Sequence, residues 1–219
     1  MSELASLSPT QRSTVKRLPE RERAERAELY QLLDSCLVCH LGIVVDGAPL
    51  VLPTGFARDG DTLYLHGSTG SASLRAAGAG IPVCVTVTRI DGIVYARSVF
   101  HHSMNYTSAV IHGAATPVID PDAKLHALHA VTEHLAPGSW NATRQPTGKE
   151  LAATAVLALP LHEASVKQRT GPPKDEPQDM AADLADWAGV LPIHQVWGTP
   201  LPDPHLGPMP APPRVVARP

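Results

Sequence analysis

Between residues 36 and 97 three Asp-Gly pairs, Asp46-Gly47, Asp59-Gly60 and Asp91-Gly92, cut a stretch rich in apolar and β-branched residues into strand-length pieces. Asp-Gly is favoured in two-residue hairpin turns because both central positions of such a turn need positive φ. Three of them this close predict a meandering antiparallel sheet. Residues 36–45 pair with 48–56, a third strand runs over 63–66, and the Val83, Val85, Val87 strand turns at Asp91-Gly92 into 93–97. Residues 106–118 and 155–161 read as further strands, giving six or seven in all. A mainly β, mostly antiparallel sheet of that size tends to curl into a barrel. Helical spacing places helices outside it over residues 20–35, from Pro121 with Leu125, Leu128, Val131 and Leu135 on one stripe, and over 150–154.

Charge narrows the partners. A net charge of −3 gives no footprint for nucleic acid or an anionic membrane surface. Residues 1–20 lack an apolar signal core and no stretch reaches membrane-spanning length, so a cytoplasmic protein is expected. Three cysteines are too few for a disulfide framework. The expected organisation is an arm over 1–19, one domain over 20–171 and an extended tail over 172–219, where nine of the 22 prolines fall between 192 and 219.

Several stretches carry chemistry. Leu63 to Ala76 passes from strand through a Gly/Ser turn into a helix, gathering backbone N–H groups, hydroxyls and Arg75 at one point, as a phosphate site does. The stretch lacks both the P-loop and the G-x-G-x-x-G pattern, and small residues before a helix also make an ordinary turn and cap. Cys36 and Cys39 have C-x-x-C spacing, but residues three apart in a strand point to opposite faces, so packing is the better reading. His126, His129, Glu133 and His134 lie on a helix without the H-E-x-x-H pattern and are expected at the solvated surface; no metal site is expected. His101-His102 sits in an aperiodic segment and serves either as loop or as pocket lining. Lys167 and Arg169 form a basic cluster before Gly171-Pro172-Pro173.

In order along the chain, Leu52-Pro53-Thr54-Gly55, Leu63-Tyr64-Leu65-His66-Gly67-Ser68 with Ser73-Leu74-Arg75, Val83 to Thr88, Phe100-His101-His102-Ser103-Met104-Asn105-Tyr106 and Val166 to Pro173 resemble the pyridoxamine 5′-phosphate oxidase-related flavin-nucleotide-binding proteins, in the branch with nitroimidazole-resistance proteins. The resemblance covers roughly residues 20–197 and implies a split β-barrel homodimer with flanking helices, binding FMN at the subunit interface. It puts Val51, Leu52, Pro53 and Thr54 along the isoalloxazine edge, and His66, Gly67, Ser68, Ser71, Ser73 and Arg75 around the ribityl phosphate. Tyr106, Ser108, Lys167 and Arg169 would approach from the partner subunit. Where related sequences commonly read Asn-Tyr-Arg-Ser, this one has Asn105-Tyr106-Thr107-Ser108 and lacks that cation.

The resemblance implies an FMN-dependent oxidoreductase passing electrons from a reduced nicotinamide to a small planar acceptor, its small-molecule substrate. His66, His101 and His102 are the candidate proton donors. The alternative is a flavin or haem binding or carrier protein without turnover. Pyridoxal-phosphate metabolism is disfavoured, because the arginine-rich pattern of true pyridoxamine phosphate oxidases is not visible.

Overall fold

In the computed structural model, which describes residues 6–7, 10–180, 187–205, 207 and 209–217, a two-residue strand β1 (Glu22–Arg23) leads into helix α1 (Arg26–Ser35). The helix expected over 20–35 is shorter because Glu22 and Arg23 pair with Lys167 and Val166. Next come β2 (Val38–Val45) and β3 (Ala48–Asp59). Asp46 and Gly47 between them both adopt positive φ, 51° and 77°, as a primed turn requires. Gly60 turns β3 into β4 (Thr62–Ser68), which feeds helix α2 (Ala72–Gly78). Strands β5 (Pro82–Tyr95), β6 (Ser103–Ala114) and β7 (Thr116–Pro117) follow, then helices α3 (Pro121–Leu135) and α4 (Gly148–Ala153). The chain ends with β8 (Thr154–Pro160), β9 (Glu163–Arg169), β10 (Gly189–Pro192) and a single turn α5 (Pro213–Val216).

The described strands form one antiparallel sheet in the order β1-β9-β6-β5-β2-β3-β4-β8-β7, with β10 added to β5. Strand β7 continues β6 after the single residue Ala115, so the strand near one end of this order supplies the other end. The sheet therefore wraps around its core, where Leu41, Phe56, Leu63, Leu65, Val85 and Ile111 are almost fully buried. Each such side chain contributes about 1.5–3 kcal/mol of burial. Helix α1 adds Leu29, Leu32 and Leu33 to that core.

Four expectations change. Asp91-Gly92 is not a turn: β5 runs straight through it with a bulge between Ile90 and Gly92 opposite β6. Strand β10 packs onto β5 there, and a Cβ on Gly92 would stand 2.9 Å from the Leu191 carbonyl oxygen, so the glycine serves close approach of backbone. The basic cluster holding Lys167 and Arg169 is the end of strand β9, paired to β6, rather than a turn. On α3 the buried positions are Ala127 and Val131, while Leu135 is 54% exposed. The ends of α3 are tied by Lys124 Nζ donating to the Leu151 carbonyl and His134 Nε2 to that of Cys36, which turns the small-residue face inward. The tail contains β10 and α5 and is not uniformly extended; part of it, and part of the 1–19 arm, falls outside the described residues. No helix among the described residues is long and apolar enough to cross a membrane.

Candidate functional site

Strands β3 and β4 part company at one point. Their last cross-strand pair is Phe56 with Leu65; the next positions, Gly55 and His66, are unpaired. From there β3 stays with β2 over Gly55 to Ala48, while β4 stays with β8 through His66, Gly67 and Ser68. A cleft opens between them. One wall is the free edge of β3 at Val51 to Thr54, whose outward backbone groups no strand takes up. The other wall is the end of β4 and the loop to α2. Of the ten residues from Val51 to Arg75 that the resemblance assigns to ring and phosphate, four lie on β3 beyond its last pair with β4, and six on the end of β4, the loop and α2.

Much of the loop's hydrogen-bonding capacity is already used. Ser68 Oγ accepts the Gly70 N–H (3.1 Å), the Ser68 carbonyl accepts that of Ser71 (2.9 Å), and Ser71 Oγ caps α2 by accepting the Leu74 N–H (3.3 Å). Ser71 and Ser73 hydroxyls share a hydrogen bond of 2.9 Å. Arg75 Nη1 folds back on the Thr69 carbonyl at 3.0 Å, fixing the exposed guanidinium over the loop, and its other donors meet no acceptor among the described residues. The first-turn N–H groups of Ala72 and Ser73 have no intrahelical acceptor. Gly67 is favoured by packing: a Cβ there would lie 2.7 Å from Leu74 Cδ1, so the leucine would have to shift.

His66 stands at the apex of the cleft. Gly55, which the sequence motif Leu52-Pro53-Thr54-Gly55 contains without a role of its own, is its neighbour on β3: a Cβ there would sit in ordinary contact, 3.8 Å from His66 Cε1. The buried Nδ1 of His66 has no hydrogen-bond partner among the described residues, and burial pushes the ring's pKa below the ordinary histidine value. The imidazole is therefore neutral at pH 7, with Nε2 the accessible nitrogen. His102 differs. Its Nδ1 accepts the Ala96 N–H at 2.8 Å, so the neutral ring carries its proton on Nε2. His101 Nε2 lies 3.8 Å from Glu176 Oε1.

The remaining four assigned residues are not in the cleft. Tyr106 and Ser108 on β6, with Lys167 and Arg169 on β9, are separated from β3 by β5 and β2. Ser108 Oγ bonds Thr88 Oγ1 (2.9 Å) and Lys167 Nζ donates to the Arg17 carbonyl (2.6 Å). Arg169 is buried and donates to Asn105 Oδ1 and the carbonyls of Gly171 and Pro172; burial lowers its pKa. Thr107 is buried on the opposite face from Tyr106 and Ser108, where its hydroxyl donates to Asp91 Oδ2 (3.3 Å). The cation missing at this position would thus belong under α1, where Arg89 Nε already binds Asp91 (2.7 Å).

The cysteines are unpaired. Cys39 Sγ donates to the Thr54 carbonyl at 3.4 Å and burial pushes its thiol up to about 12, so it is inert packing beneath the β3 edge. Of the α3 side chains expected at the solvated surface, His126 and His129 are exposed while Glu133 and His134 are half-buried, and each also holds a neighbour. His126 meets Asp59, His129 packs edge-on to Trp140, and Glu133 accepts the N–H groups of Gly138 and Trp140.

Residues 25–168 match the family model described as pyridoxamine 5′-phosphate oxidase. Among solved structures, the chain is 36% identical to the flavocytochrome Anf3 of Azotobacter vinelandii, with a TM-score of 0.89 over 96% of this chain and 97% of that one. It is 41% identical to the FAD and haem binding protein of Mycobacterium smegmatis, with a TM-score of 0.86 over 90% and 96%. A 5-nitroimidazole antibiotic resistance protein of Bacteroides thetaiotaomicron shares the fold at 22% identity and a TM-score of 0.57, over 67% and 86%. None of the curated protein sequences compared with the chain matches it.

Proposed function

The chain belongs to the pyridoxamine 5′-phosphate oxidase family, and from that premise we propose that it binds a flavin and a haem and carries electrons between them. The observation that carries this is the likeness, over nine-tenths or more of both chains, to a flavocytochrome and to an FAD and haem binding protein. It favours the alternative of a flavin and haem binding protein over an FMN-dependent oxidoreductase, and FAD over FMN; electron passage between the two groups is added to that reading here.

The residues present fit both groups. A neutral imidazole with an accessible Nε2 is a haem ligand, and His66 meets that description where His102 does not. The β3 edge at Val51 to Thr54 offers backbone groups to a flavin ring, and Arg75, Ser71 and Ser73 offer donors to a phosphate. When bound, the flavin supplies one- and two-electron transfer and the haem one-electron transfer; the protein orients both and sets their surroundings. Val38, Val44, Val51 and Ile90 are exposed on the sheet face that also carries Tyr106 and Ser108, an apolar surface suited to a second copy. A homodimer would bring the partner's Tyr106 and Ser108 toward this cleft.

Purified protein is expected to show a Soret band together with flavin absorption, and to release FAD on denaturation. Protein that stays colourless after reconstitution with haemin and FAD would sink the proposal. Retention of FMN alone, bleached anaerobically by a reduced nicotinamide, would return the reading to the oxidoreductase.

A further inference from the structure

The four assigned residues that lie away from the cleft lie together. Tyr106 pairs with Arg169 and Ser108 with Lys167, so strand alternation puts all four on one face at the same end of the β6–β9 ladder. The N-terminal arm crosses this end. Lys167 Nζ donates to the Arg17 carbonyl at 2.6 Å, and Glu22 pairs with Lys167 in β1. Between those two ties Leu18 turns the arm at a φ of 56°, and the Arg21 N–H closes on the Leu18 carbonyl at 3.0 Å. Positive φ is uncommon for a bulky residue and collects at ligand clamps. Arg17 and Arg21 thus flank one tight turn beside Lys167.

Charge at this turn is unbalanced. Lys16, Arg17, Arg21, Lys167 and Arg169 stand against the carboxylates of Glu20 and Glu22. Among the described residues no carboxylate lies within ion-pair distance of Arg17, Arg21 or Lys167. Arg169 donates only to Asn105 Oδ1 and two backbone carbonyls, and its pKa is lowered by burial and then by the like charge of Arg21. An anion placed here relieves that repulsion and gains charge-assisted hydrogen bonds.

The strand order says which anion a second copy would bring. It runs β9-β6-β5-β2-β3-β4 across the sheet. In a face-to-face dimer, a two-fold axis along the strands between β5 and β2 sets β6 over the partner's β3 and β9 over its β4. Ser108 pairs with Thr88, two residues along β5 from Thr86, which is level with His40 and Pro53, so the heights agree as well. Ser108 then faces the β3 edge, and Lys167 with the arm turn faces the β4–α2 loop, one strand spacing of about 4.8 Å further out.

Resting on the flavin and dimer reading above, we propose that Arg17 and Arg21 of one subunit hold the second phosphate of an FAD bound in the cleft of the other, and so select FAD over FMN. FMN ends at the phosphate that Arg75 and the Ser71 and Ser73 hydroxyls serve. FAD carries one phosphate more, and the arm turn supplies the cations for it.

FAD and FMN are titrated calorimetrically, in separate experiments, into the full-length protein depleted of flavin. Wild type is expected to bind FAD about tenfold or more tighter than FMN, the worth of a charge-assisted contact. Arg17→Gln combined with Arg21→Gln should lose about tenfold or more toward FAD while FMN affinity is unchanged, which also reports an intact fold. Arg75→Ala should weaken both flavins alike. Equal affinity of wild type for the two flavins, a preference that survives the double substitution, or a flavin-saturated protein that sediments as a monomer would each overturn the assignment while flavin binding stands. Binding of neither flavin would overturn the flavin reading and this inference with it.

Discussion

The β4–α2 junction and the connection between β5 and β6 are built from similar residues, histidine, serine and one arginine, yet they dispose of them differently. In the β5–β6 connection the histidine and the arginine are both spent on the chain, although the Ser98 hydroxyl is buried without a partner among the described residues. His102 takes the Ala96 N–H, and Asp175 takes both the backbone and the side chain of Arg97. At the β4–α2 junction the loop is self-bonded, but among the described residues the buried Nδ1 of His66 has no partner and Arg75 uses a single donor. Buried or fixed polar groups without partners are costly to folding unless something else meets them. Each segment holds one buried orphan, so the distinction rests on the histidines: the His66 ring is unpartnered, while the Nδ1 of His102 is spent on the Ala96 N–H.

The sharpest way to break that distinction is to remove His66. His66→Ala is expected to abolish the Soret band, read by absorption after haemin reconstitution, while flavin content survives; a retained band would transfer the ligand role elsewhere. The same residue has a pH signature. Its folded pKa is depressed below the ordinary value of about 6.5, so the unfolded chain binds the extra proton first. The stability it contributes is full above about pH 6.5 and is lost as pH falls through the folded value. Urea unfolding of cofactor-free protein at about pH 7.5 and about pH 5 should show wild type losing more stability than His66→Gln; equal losses would show that His66 is not held neutral by burial.

Arg75→Ala comes next. A charge-assisted phosphate contact is worth roughly 1.5–3 kcal/mol, so flavin affinity should fall about tenfold or more, with stability nearly unchanged because the side chain is exposed. Unaltered affinity removes Arg75 from the site. Gly67→Ala is smaller and of the opposite kind. The new methyl meets the buried Leu74 side chain, and overpacking of this sort costs about 1–2 kcal/mol, measured as a lowered urea midpoint.

How much of this was legible in the sequence can be seen in two identical dipeptides. Asp46-Gly47 became the turn its residues specify, because nothing but the two flanking strands competes for it. Asp91-Gly92 became a bulge, because a strand almost a hundred residues later packs on it and Asp91 is claimed by Arg89 and Thr107. Local chemistry proposes, and tertiary contact decides. The same holds at the site. The Gly67 to Arg75 loop could be read from its composition, whereas the parting of β3 and β4 at Gly55 and His66 is a property of pairing that no local pattern announces. Thr107 shows the third case: strand alternation alone would have placed it opposite Tyr106 and Ser108, but only the position of α1 gives that face its meaning.

The smallest expected effect belongs to His102, and it completes the comparison. The ring packs edge-on to Tyr95 with centroids 5.9 Å apart and accepts the N–H of the buried Ala96, so its work is to close the end of β5. His102→Ala leaves that N–H to water, since His102 itself is exposed, and the net loss of one hydrogen bond is about 1 kcal/mol. For a chain of this length that is a fall in Tm of roughly 2–4 °C, with the Soret band and flavin content intact. His102→Asn restores an acceptor and should recover part of the loss. If His102→Ala instead bleached the Soret band at unchanged Tm, the two segments would have to exchange roles, because a ring whose Nδ1 accepts a backbone proton would then have to release its own Nε2 proton to bind iron.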